Sequence, residues 1–227
     1  MTIKIIAFIM LVQIPNVSAQ VQQWMNFNTS NSPLPTNSIH SINFENDTIR
    51  WIGTWGGGLV KFDGRNWTIY NTDNSPLPHN IIYEVVIDKE NRKWIATQGG
   101  GVAVFDDTTW VVYDTSNSGI LHNTIYAIAI DSSDNKWIGT WGSGAVKFDG
   151  TNWINYSTHN TIIPNVKVCE IFIDDKGVKW IGSAAGLLSF NDTLWTLYDK
   201  TNSPLGSWAV YSITSDKDHN LWVGYKF

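Results

Sequence analysis

Two series of tryptophans recur along this chain at one nearly constant spacing. The first series advances by 43, 43, 43 and 42 residues and comprises Trp51, Trp94, Trp137, Trp180 and Trp222. The second keeps the same period and comprises Trp24, Trp67, Trp110, Trp153 and Trp195. Self-similarity at a period of about 40 to 50 residues is typical of repeat proteins, in which one supersecondary unit is copied along the chain. This spacing constrains the fold more strongly than any local segment does.

Each repeat contains four short segments that are predicted to be β-strands, here called strands A to D. They are separated by turn residues and carry the apolar and aromatic side chains that strands favour. Around the second repeat we predict them at 81–88, 93–97, 102–106 and 110–113. Between strands C and D, the pairs Asp63-Gly64 and Asp149-Gly150 are strong signals for tight hairpin turns. No segment shows the 3.6-residue period of a helix, so the chain is predicted to be all-β.

Four-stranded units in series predict a β-propeller, in which every sheet is a blade packed against its neighbours. One such unit cannot bury enough apolar surface alone, so both faces of each sheet need cover. The first tryptophan series, Trp222 included, is therefore expected to fill the gaps between blades. Strand A occurs five times and strand C four times. We predict about five blades, the last one incomplete or closed by the N-terminal strand near Trp24.

The N-terminal segment lies outside the repeats and has the features of a secretory signal peptide. Lys4 provides a positive start, an apolar run covers 5–12, and a small-residue cleavage sequence ends at Ala19. The apolar run is too short to span a bilayer, and no later segment is long and apolar enough. We predict a signal peptide at 1–19 and an exported propeller domain at 20–227, periplasmic or extracellular, without a transmembrane segment in the mature chain.

Charge and cysteine content argue against several classes of site. The formal net charge is −5 and no Lys/Arg cluster is present, which argues against a nucleic-acid partner. Cys169 is the single cysteine, so neither a disulfide framework nor a thiolate metal site is expected. No catalytic triad, phosphate-loop or zinc motif is recognisable. We expect no catalytic residue, cofactor or metal. The alternative is a propeller lyase or hydrolase, which the fold does not exclude.

The rim at one end of the propeller is the first place where a ligand is expected. The B–C turns and the D–A connections leave the blades at this end. Equivalent positions of the B–C turn carry Trp55, Gln98, Trp141 and Ala184. Because the repeat geometry does not demand a tryptophan there, we nominate Trp55 and Trp141, with Trp208 as a third platform. Aromatic faces can stack on sugar rings or hold a peptide, although local packing over the glycine turn is the alternative.

Strand A is expected to line the central channel and supplies further candidates. Two consecutive positions of this strand differ between repeats. The first carries His40, Tyr83, Tyr126, Cys169 and Tyr211, and the second carries Ser41, Glu84, Ala127, Glu170 and Ser212. Which position faces the channel depends on the register, since a slip of one residue exchanges the two faces. We nominate the tyrosines Tyr83, Tyr126 and Tyr211 and the carboxylates Glu84 and Glu170. The carboxylates have an alternative role as solvated channel groups, and Cys169 is expected to be a small buried hydrophobe.

The D–A connections contribute two histidines, His79 and His122, at equivalent positions before an asparagine. They are rim candidates, but neither has the spacing of a metal ligand, so ordinary loop residues are the alternative. At the end of strand A, Asp88, Asp131 and Asp174 recur. We expect these carboxylates to cap backbone N–H groups of the A–B turn.

The repeats resemble the two-component regulator propeller repeat. The resemblance rests on WIGTWGGGLVKFDG, WIATQGGGVAVFDD, WIGTWGSGAVKFDG and WIGSAAGLLSFND, which begin at the first four tryptophans of the first series. It also rests on the preceding Asn-rich loop and Ile/Val strand that ends in Asp, as in NSPLPHNIIYEVVID. In that family such repeats form the extracytoplasmic sensors of hybrid histidine kinases, often as seven-bladed propellers. The resemblance implies a sensor module that binds glycans or partner proteins.

The number of repeats is too small for seven blades, and three interpretations stay open. The chain is a truncated product or a fragment of a longer receptor, or a small five-bladed ring with a reduced last blade. The third interpretation is an open arc whose unpaired edge strand associates with another chain, because such edges pair readily. This last interpretation makes the protein an interaction scaffold instead of a sensor.

Overall fold

The computed structural model describes residues 10–11, 24–163, 167–205 and 209–225, and all regular structure in these residues is β-strand. The strands are numbered β1 to β20 in chain order. The first two are short and pair with each other antiparallel: β1 (Met10–Leu11) and β2 (Trp24–Met25). The predicted signal peptide lies mostly outside the described residues and stays a prediction.

Four antiparallel four-stranded sheets follow one another along the chain and are named blades 1 to 4. Blade 1 has β3 to β6 at Ile39–Phe44, Arg50–Thr54, Leu59–Phe62 and Trp67–Tyr70. Blade 2 has β7 to β10 at Ile82–Ile87, Lys93–Thr97, Val102–Phe105 and Trp110–Tyr113. Blade 3 has β11 to β14 at Ile125–Ile130, Lys136–Thr140, Ala145–Phe148 and Trp153–Tyr156. Blade 4 has β15 to β18 at Val168–Ile173, Lys179–Ser183, Gly186–Phe190 and Trp195–Tyr198.

Blade 5 has two strands in the described residues, β19 (Val210–Ser215) and β20 (Leu221–Tyr225). The all-β propeller architecture is therefore confirmed, and blade 5 is incomplete within the described residues. Closure of this blade by the N-terminal strand is not found, because β2 pairs with β1 instead.

The predicted hairpin between strands C and D is confirmed. Gly64 adopts a positive φ of 94° in blade 1, as a tight hairpin turn requires. In blade 2 the same position is Asp107, with a φ of 74°. Aspartate tolerates this left-handed conformation better than most residues because its short polar side chain makes local hydrogen bonds.

Hydrophobic side chains fill the spaces between successive blades. The inner strands lie side by side in the order β3, β7, β11, β15 and β19. Trp51, Trp94 and Trp137 are 0%, 2% and 0% exposed and belong to these clusters, so the expected inter-blade role is confirmed for them. The same expectation is wrong for Trp222, which is 62% exposed. No further described sheet covers that face of blade 5.

The segment after β2 packs on blade 1, at the end of the blade series that lies farthest from blade 5. The Phe27 ring lies 5.4 Å from Phe62 and 5.3 Å from Trp67, both in blade 1. Tyr70 packs on blade 2 in the same way, with its ring 5.2 Å from Phe105 and 5.9 Å from Trp110. Phe27 thus contacts blade 1 as Tyr70 of strand D contacts blade 2.

A polar contact also recurs at the end of strand A. Asp88 Oδ1 accepts hydrogen bonds from the backbone N–H groups of Glu90 (3.0 Å) and Arg92 (2.9 Å), which confirms the expected turn cap. Asp88 Oδ2 accepts a further hydrogen bond from Trp94 Nε1 at 2.8 Å. The same link joins Asp131 to Trp137, Asp174 to Trp180 and Asp216 to Trp222, and in blade 1 Glu45 takes the place of the aspartate for Trp51.

Candidate functional site

A β-bulge near the start of strand A decides which side chains reach the rim. In blade 2, Ile82 is opposite Thr97 and Glu84 is opposite Ala96, so Tyr83 is an extra residue without a partner. The same irregularity occurs in all five blades, at His40, Tyr83, Tyr126, Cys169 and Tyr211. A bulge bends the strand and redirects the extra side chain. The bulge therefore distinguishes the two candidate positions of strand A. The first, as at Tyr83, carries the redirected side chain, and the second, as at Glu84, stays paired with strand B.

Five aromatic side chains from blades 1 to 3 form a continuous surface, named here the aromatic row: His40, Trp55, Tyr83, Tyr126 and Trp141. The ring centroids of His40 and Trp55 are 5.0 Å apart, and those of Trp55 and Tyr83 are 5.9 Å apart. The row continues from Tyr83 to Tyr126 at 4.3 Å and from Tyr126 to Trp141 at 5.5 Å. Tilted and edge-on arrangements at these distances are favourable for aromatic pairs.

The two tryptophans of the aromatic row are held by their own backbone. Trp55 N donates to Ser38 O at 2.9 Å, and Trp141 N donates to Thr124 O at 3.0 Å, which ties each B–C turn to strand A. Trp55 and Trp141 are nevertheless 42% and 49% exposed. Each indole therefore packs against the row on one side and offers the rest of its surface to solvent.

The glycines of the B–C turn join neighbouring blades. Gly101 N donates to Asn123 O in the next D–A connection at 2.7 Å. Gly101 has a φ of +78°, and a Cβ there would lie 2.1 Å from Tyr113 O. Only glycine fits this backbone conformation together with this close approach. The B–C turn of blade 2 is therefore held close to Tyr113 and to the next D–A connection.

Lys167 lies at the end of the aromatic row and was not among the sequence candidates. Its Nζ is 3.6 Å from the ring centroid of Tyr126, 5.4 Å from that of Trp141 and 5.6 Å from that of Tyr211. Burial lowers the pKa of Lys167 because it disfavours the charged form, while the aromatic faces attract the cation. Variation between the repeats could have identified Lys167 as a candidate. Its repeat position reads Ser38, Ile81, Thr124, Lys167 and Ala209, and is as variable as the B–C turn.

Two further titratable groups beside the row, Cys169 and Tyr126, have raised pKa values. Burial raises the pKa of Cys169 to about 11. Burial and the neighbouring Tyr83 hydroxyl raise the pKa of Tyr126, whose Oη lies 3.4 Å from Tyr83 Oη. Cys169 is half-buried, and its thiol donates to the Lys167 carbonyl oxygen at 3.9 Å. The row is thus a largely uncharged surface with a lysine at one end.

The two carboxylate candidates lie at the position after the bulge. Glu84 Oε2 accepts a hydrogen bond from Ile128 N in blade 3 at 2.8 Å, so it joins two blades. Glu170 occupies the same position in blade 4 and is half-buried. Both residues belong to the inner strands of their blades, β7 and β15.

The two histidine candidates have defined contacts in the D–A connections. His79 Nδ1 accepts a hydrogen bond from Ile81 N at 3.0 Å, and His122 Nδ1 accepts one from Thr124 N at 2.9 Å. In blade 1 Thr36 Oγ1 does the same for Ser38 N at 3.1 Å. These contacts favour a turn-forming role for the histidines. Tyr211 is exposed near Lys167, whereas Trp208 lies outside the described residues.

Within the described ranges, no group of three or more His, Cys, Asp or Glu side chains is arranged to hold a metal ion. The same residues include no helix that is long and apolar enough to cross a membrane.

Comparison with known proteins gave matches among solved structures. No protein-family model and no curated protein matches the sequence. The extracellular domain assigned to the hybrid two-component system BT3049 from B. thetaiotaomicron is 25% identical, with a TM-score of 0.73, over 82% of this chain and 26% of that chain. The corresponding domain of BT4673 from B. thetaiotaomicron is 19% identical, with a TM-score of 0.70, over 85% of this chain and 26% of that chain.

A propeller enzyme is also similar in fold. Virginiamycin B lyase from Staphylococcus aureus is 14% identical, with a TM-score of 0.66, over 82% of this chain and 62% of that chain. At this identity the likeness concerns the fold alone. The chain spans about a quarter of the length of the two extracellular domains. The repeat motifs, the propeller blades and the likeness to these extracellular domains support the predicted resemblance to the two-component regulator propeller repeat.

Proposed function

We propose that this chain is an exported, non-catalytic ligand-binding module of the kind that forms the extracellular part of two-component sensors. The likeness to the BT3049 extracellular domain supports the sensor role and the location outside the cytoplasm. The predicted signal peptide at 1–19 agrees with export. In the periplasm or at the cell surface, such a module would report the presence of a ligand.

The aromatic row is the observation on which the ligand-binding proposal depends. Four of its rings, from Trp55 to Trp141, lie in sequence with centroid distances of 4.3 to 5.9 Å. Trp and Tyr combine a flat apolar face with a polar tip, which suits ligands that have both apolar and hydroxylated surfaces. We infer that the ligand is an oligosaccharide whose rings lie along the row. Lys167 at its end would donate hydrogen bonds to ligand oxygens.

The chemistry beside the row favours binding over catalysis. Cys169 and Tyr126 have raised pKa values and are protonated near pH 7. Glu84 is engaged by a backbone N–H of the next blade. General acid–base catalysis needs a pair of groups poised near the working pH and directed at one reacting atom. A propeller lyase or hydrolase is the alternative class, and its only support is the shared fold.

A glycan-binding screen with the purified chain tests this proposal, with binding followed by tryptophan fluorescence and calorimetry. The double variant Trp55→Ala/Trp141→Ala should weaken the affinity for a bound glycan by at least about tenfold, because aromatic anchors dominate such sites. Gln98→Ala, at the equivalent turn of blade 2, is the matched control and should change the affinity less than about twofold.

Unchanged affinity in the double variant would remove the aromatic row from the binding site. Glycan turnover instead of binding, detected by chromatography of the ligand after incubation, would contradict the non-catalytic role. Binding of an extracellular protein but of no glycan would replace the oligosaccharide by a protein ligand.

A further inference from the structure

Lys167 reaches the aromatic row from the residue just before strand A of blade 4. Its backbone O accepts a hydrogen bond from Ala184 N at 3.0 Å, as Thr124 O accepts one from Trp141 N in blade 3. Blade 4 therefore ties its B–C turn to strand A in the same way, but with a small residue in place of the tryptophan. The Lys167 side chain lies near aromatic rings of both neighbouring blades, which are those of Tyr126, Trp141 and Tyr211.

The three most buried lysines among the described residues each combine an indole with a carboxylate. They are Lys93, Lys136 and Lys179, whose Nζ atoms lie 5.0, 5.0 and 5.2 Å from the ring centroid of a tryptophan. Their carboxylate partners are Asp107, Asp134 and Asp192. An aromatic face attracts a cation, but a charge that is removed from water also needs an anion near it. The fold supplies both at these three positions.

Lys167 has the aromatic contacts without the carboxylate. Its side chain is half-buried, and its Nζ lies 3.6 Å from the Tyr126 ring centroid. All 20 acidic side chains of the sequence lie in the described part of the chain, and none of them forms an ion pair with Lys167. Burial lowers the pKa of Lys167, since it disfavours the charged form. The row therefore ends at an ammonium group that no side chain of the protein neutralises.

We propose that the ligand of the aromatic row is an acidic oligosaccharide, and that a uronic-acid carboxylate of this ligand pairs with Lys167. The inference rests on the proposed function, because it takes the sugar rings to lie along the row. An ammonium group has three N–H donors, and its hydrogen bonds to a carboxylate are charge-assisted. The contact then repeats the one made by the three buried lysines, with the carboxylate supplied by the ligand.

The position of Lys167 also specifies where the acidic sugar binds. Lys167 lies at the blade 4 end of the row, beside Trp141, so the acid belongs there and neutral sugars belong toward Trp55. The formal net charge of the chain is −5, so the protein as a whole does not attract anions at long range. Selectivity for the acid therefore has to come from the local ion pair with Lys167.

Titration calorimetry with matched acidic and neutral probes tests the proposal. The acids are tetragalacturonic acid and a hyaluronan tetrasaccharide, and each is compared with its methyl ester, which keeps the sugar rings and removes the charge. At least one acid should bind at least about tenfold more tightly than its own ester, because hydrogen bonds to charged groups are stronger than neutral ones. Raising the NaCl concentration from about 50 to about 500 mM should weaken binding of the acid more than binding of the ester.

Substitutions of Lys167 assign the preference to this side chain. Lys167→Met keeps most of the side-chain length and removes the charge. It should bring the affinity for the acid to within about twofold of that for the ester, while unchanged affinity for the ester reports an intact row. Lys167→Arg should retain the preference, because it retains the charge. Lys147→Met is the matched control and should bind every probe like the unmodified chain, since Lys147 is also half-buried with its Nζ 5.7 Å from an indole, that of Trp137.

Failure of this inference is distinguishable from failure of the proposed function. Glycan binding that Trp55→Ala/Trp141→Ala weakens, but in which Lys167→Met keeps the affinity for every acid, would overturn the acidic ligand alone. If no acidic or neutral glycan bound, both proposals would be overturned. A chondroitin sulfate tetrasaccharide serves as the sulfated probe. Tighter binding of this probe than of both uronic acids would overturn the assignment of a carboxylate.

Discussion

Lys136 of blade 3 lies on the indole of Trp94 in blade 2, with its Nζ 5.0 Å from the ring centroid. The same Nζ is 2.6 Å from Asp134 Oδ2 and 3.4 Å from Asp88 Oδ2. Asp88 in turn accepts the hydrogen bond of Trp94 Nε1. A buried ammonium group is tolerated here because it has both carboxylate partners and an aromatic face. The junction between blades is therefore specified by a polar contact as well as by hydrophobic packing.

Substitution of Lys136 tests how much the junction between blades 2 and 3 contributes to the free energy of unfolding. Lys136→Ala should lower the free energy of unfolding by about 2 to 4 kcal/mol, because it removes a buried stem and the ammonium group that pairs with Asp134 and Asp88, leaving Asp88 with Arg92 alone. Lys176→Ala, at an exposed position, should change it by less than about 0.5 kcal/mol. Guanidinium denaturation followed by tryptophan fluorescence measures both, and equal effects of the two variants would contradict the inferred role of Lys136.

The glycine-rich B–C turn of blade 2 offers a matched pair of substitutions. Gly99→Ala introduces a residue at a φ of +81° with nothing within 4 Å of its Cβ, and should cost about 1 to 2 kcal/mol. Gly101→Ala has a similar φ of +78° but also places Cβ 2.1 Å from Tyr113 O. It should cost at least about 3 kcal/mol, because the backbone itself has to move. Thermal denaturation of the two variants would refute this account if Gly101→Ala proved the milder one.

Acid stability should depend on the junction carboxylates. Burial alone would raise the pKa of Asp88, but hydrogen bonds from Trp94 and Arg92 lower it below its ordinary value of 3.8. A carboxyl whose pKa is lower in the folded state adds stability that is fully present above about pH 4 and is lost as the pH falls through the folded pKa. The melting temperature should therefore decline below about pH 4.

Asp88→Asn checks the source of this decline. The variant should melt at a lower temperature than the unmodified chain at pH 7, and its melting temperature should fall less between pH 5 and pH 2. Asp73→Asn, in an exposed loop position, is the control and should keep the acid dependence of the unmodified chain. A steeper acid decline in Asp88→Asn would show that other groups are responsible.

The Cys169 thiol should react slowly with thiol reagents while the chain is folded. Raising its pKa from 9.0 to about 11 lowers the thiolate fraction near neutral pH by about a hundredfold. Ellman's reagent at pH 8 should therefore label the folded chain at least about a hundred times more slowly than the chain in guanidinium, since half-burial adds to the effect. Equal labelling rates in the folded chain and in guanidinium would contradict this expectation, because they would mean that the Cys169 thiol is fully accessible to solvent in the folded chain.

The strand boundaries were largely predictable because they depend on local residues. Strands B and D of blade 2 were predicted at 93–97 and 110–113 and are observed there. Strand A was predicted at 81–88 and is shorter by one residue at each end. Ile81 forms an isolated bridge with Trp55 of blade 1, and Asp88 caps the following turn. The bridge of Ile81 involves another blade and is not visible in the strand pattern, whereas the Asp88 cap is local and was predicted.

The candidate site was only partly predictable. Variation between repeats identified Trp55 and Trp141, which the structure places in one aromatic row with Tyr83 and Tyr126. The bulge that directs the tyrosines was not predictable, because it is a property of the pairing with strand B. Lys167 was missed because the comparison between repeats was applied to the B–C turn and to strand A, but not to the residue before strand A.

The sequence by itself determined the repeat, the strands within it, the turns and the propeller architecture, since each of these follows from periodicity and from residues close together in the chain. Only the tertiary structure decided which repeats have neighbours on both faces. Trp51 and Trp222 occupy the same position in the repeat and each donates to an acidic side chain. One is buried and the other is exposed, because burial depends on the sheet next to a residue and not on the residue itself.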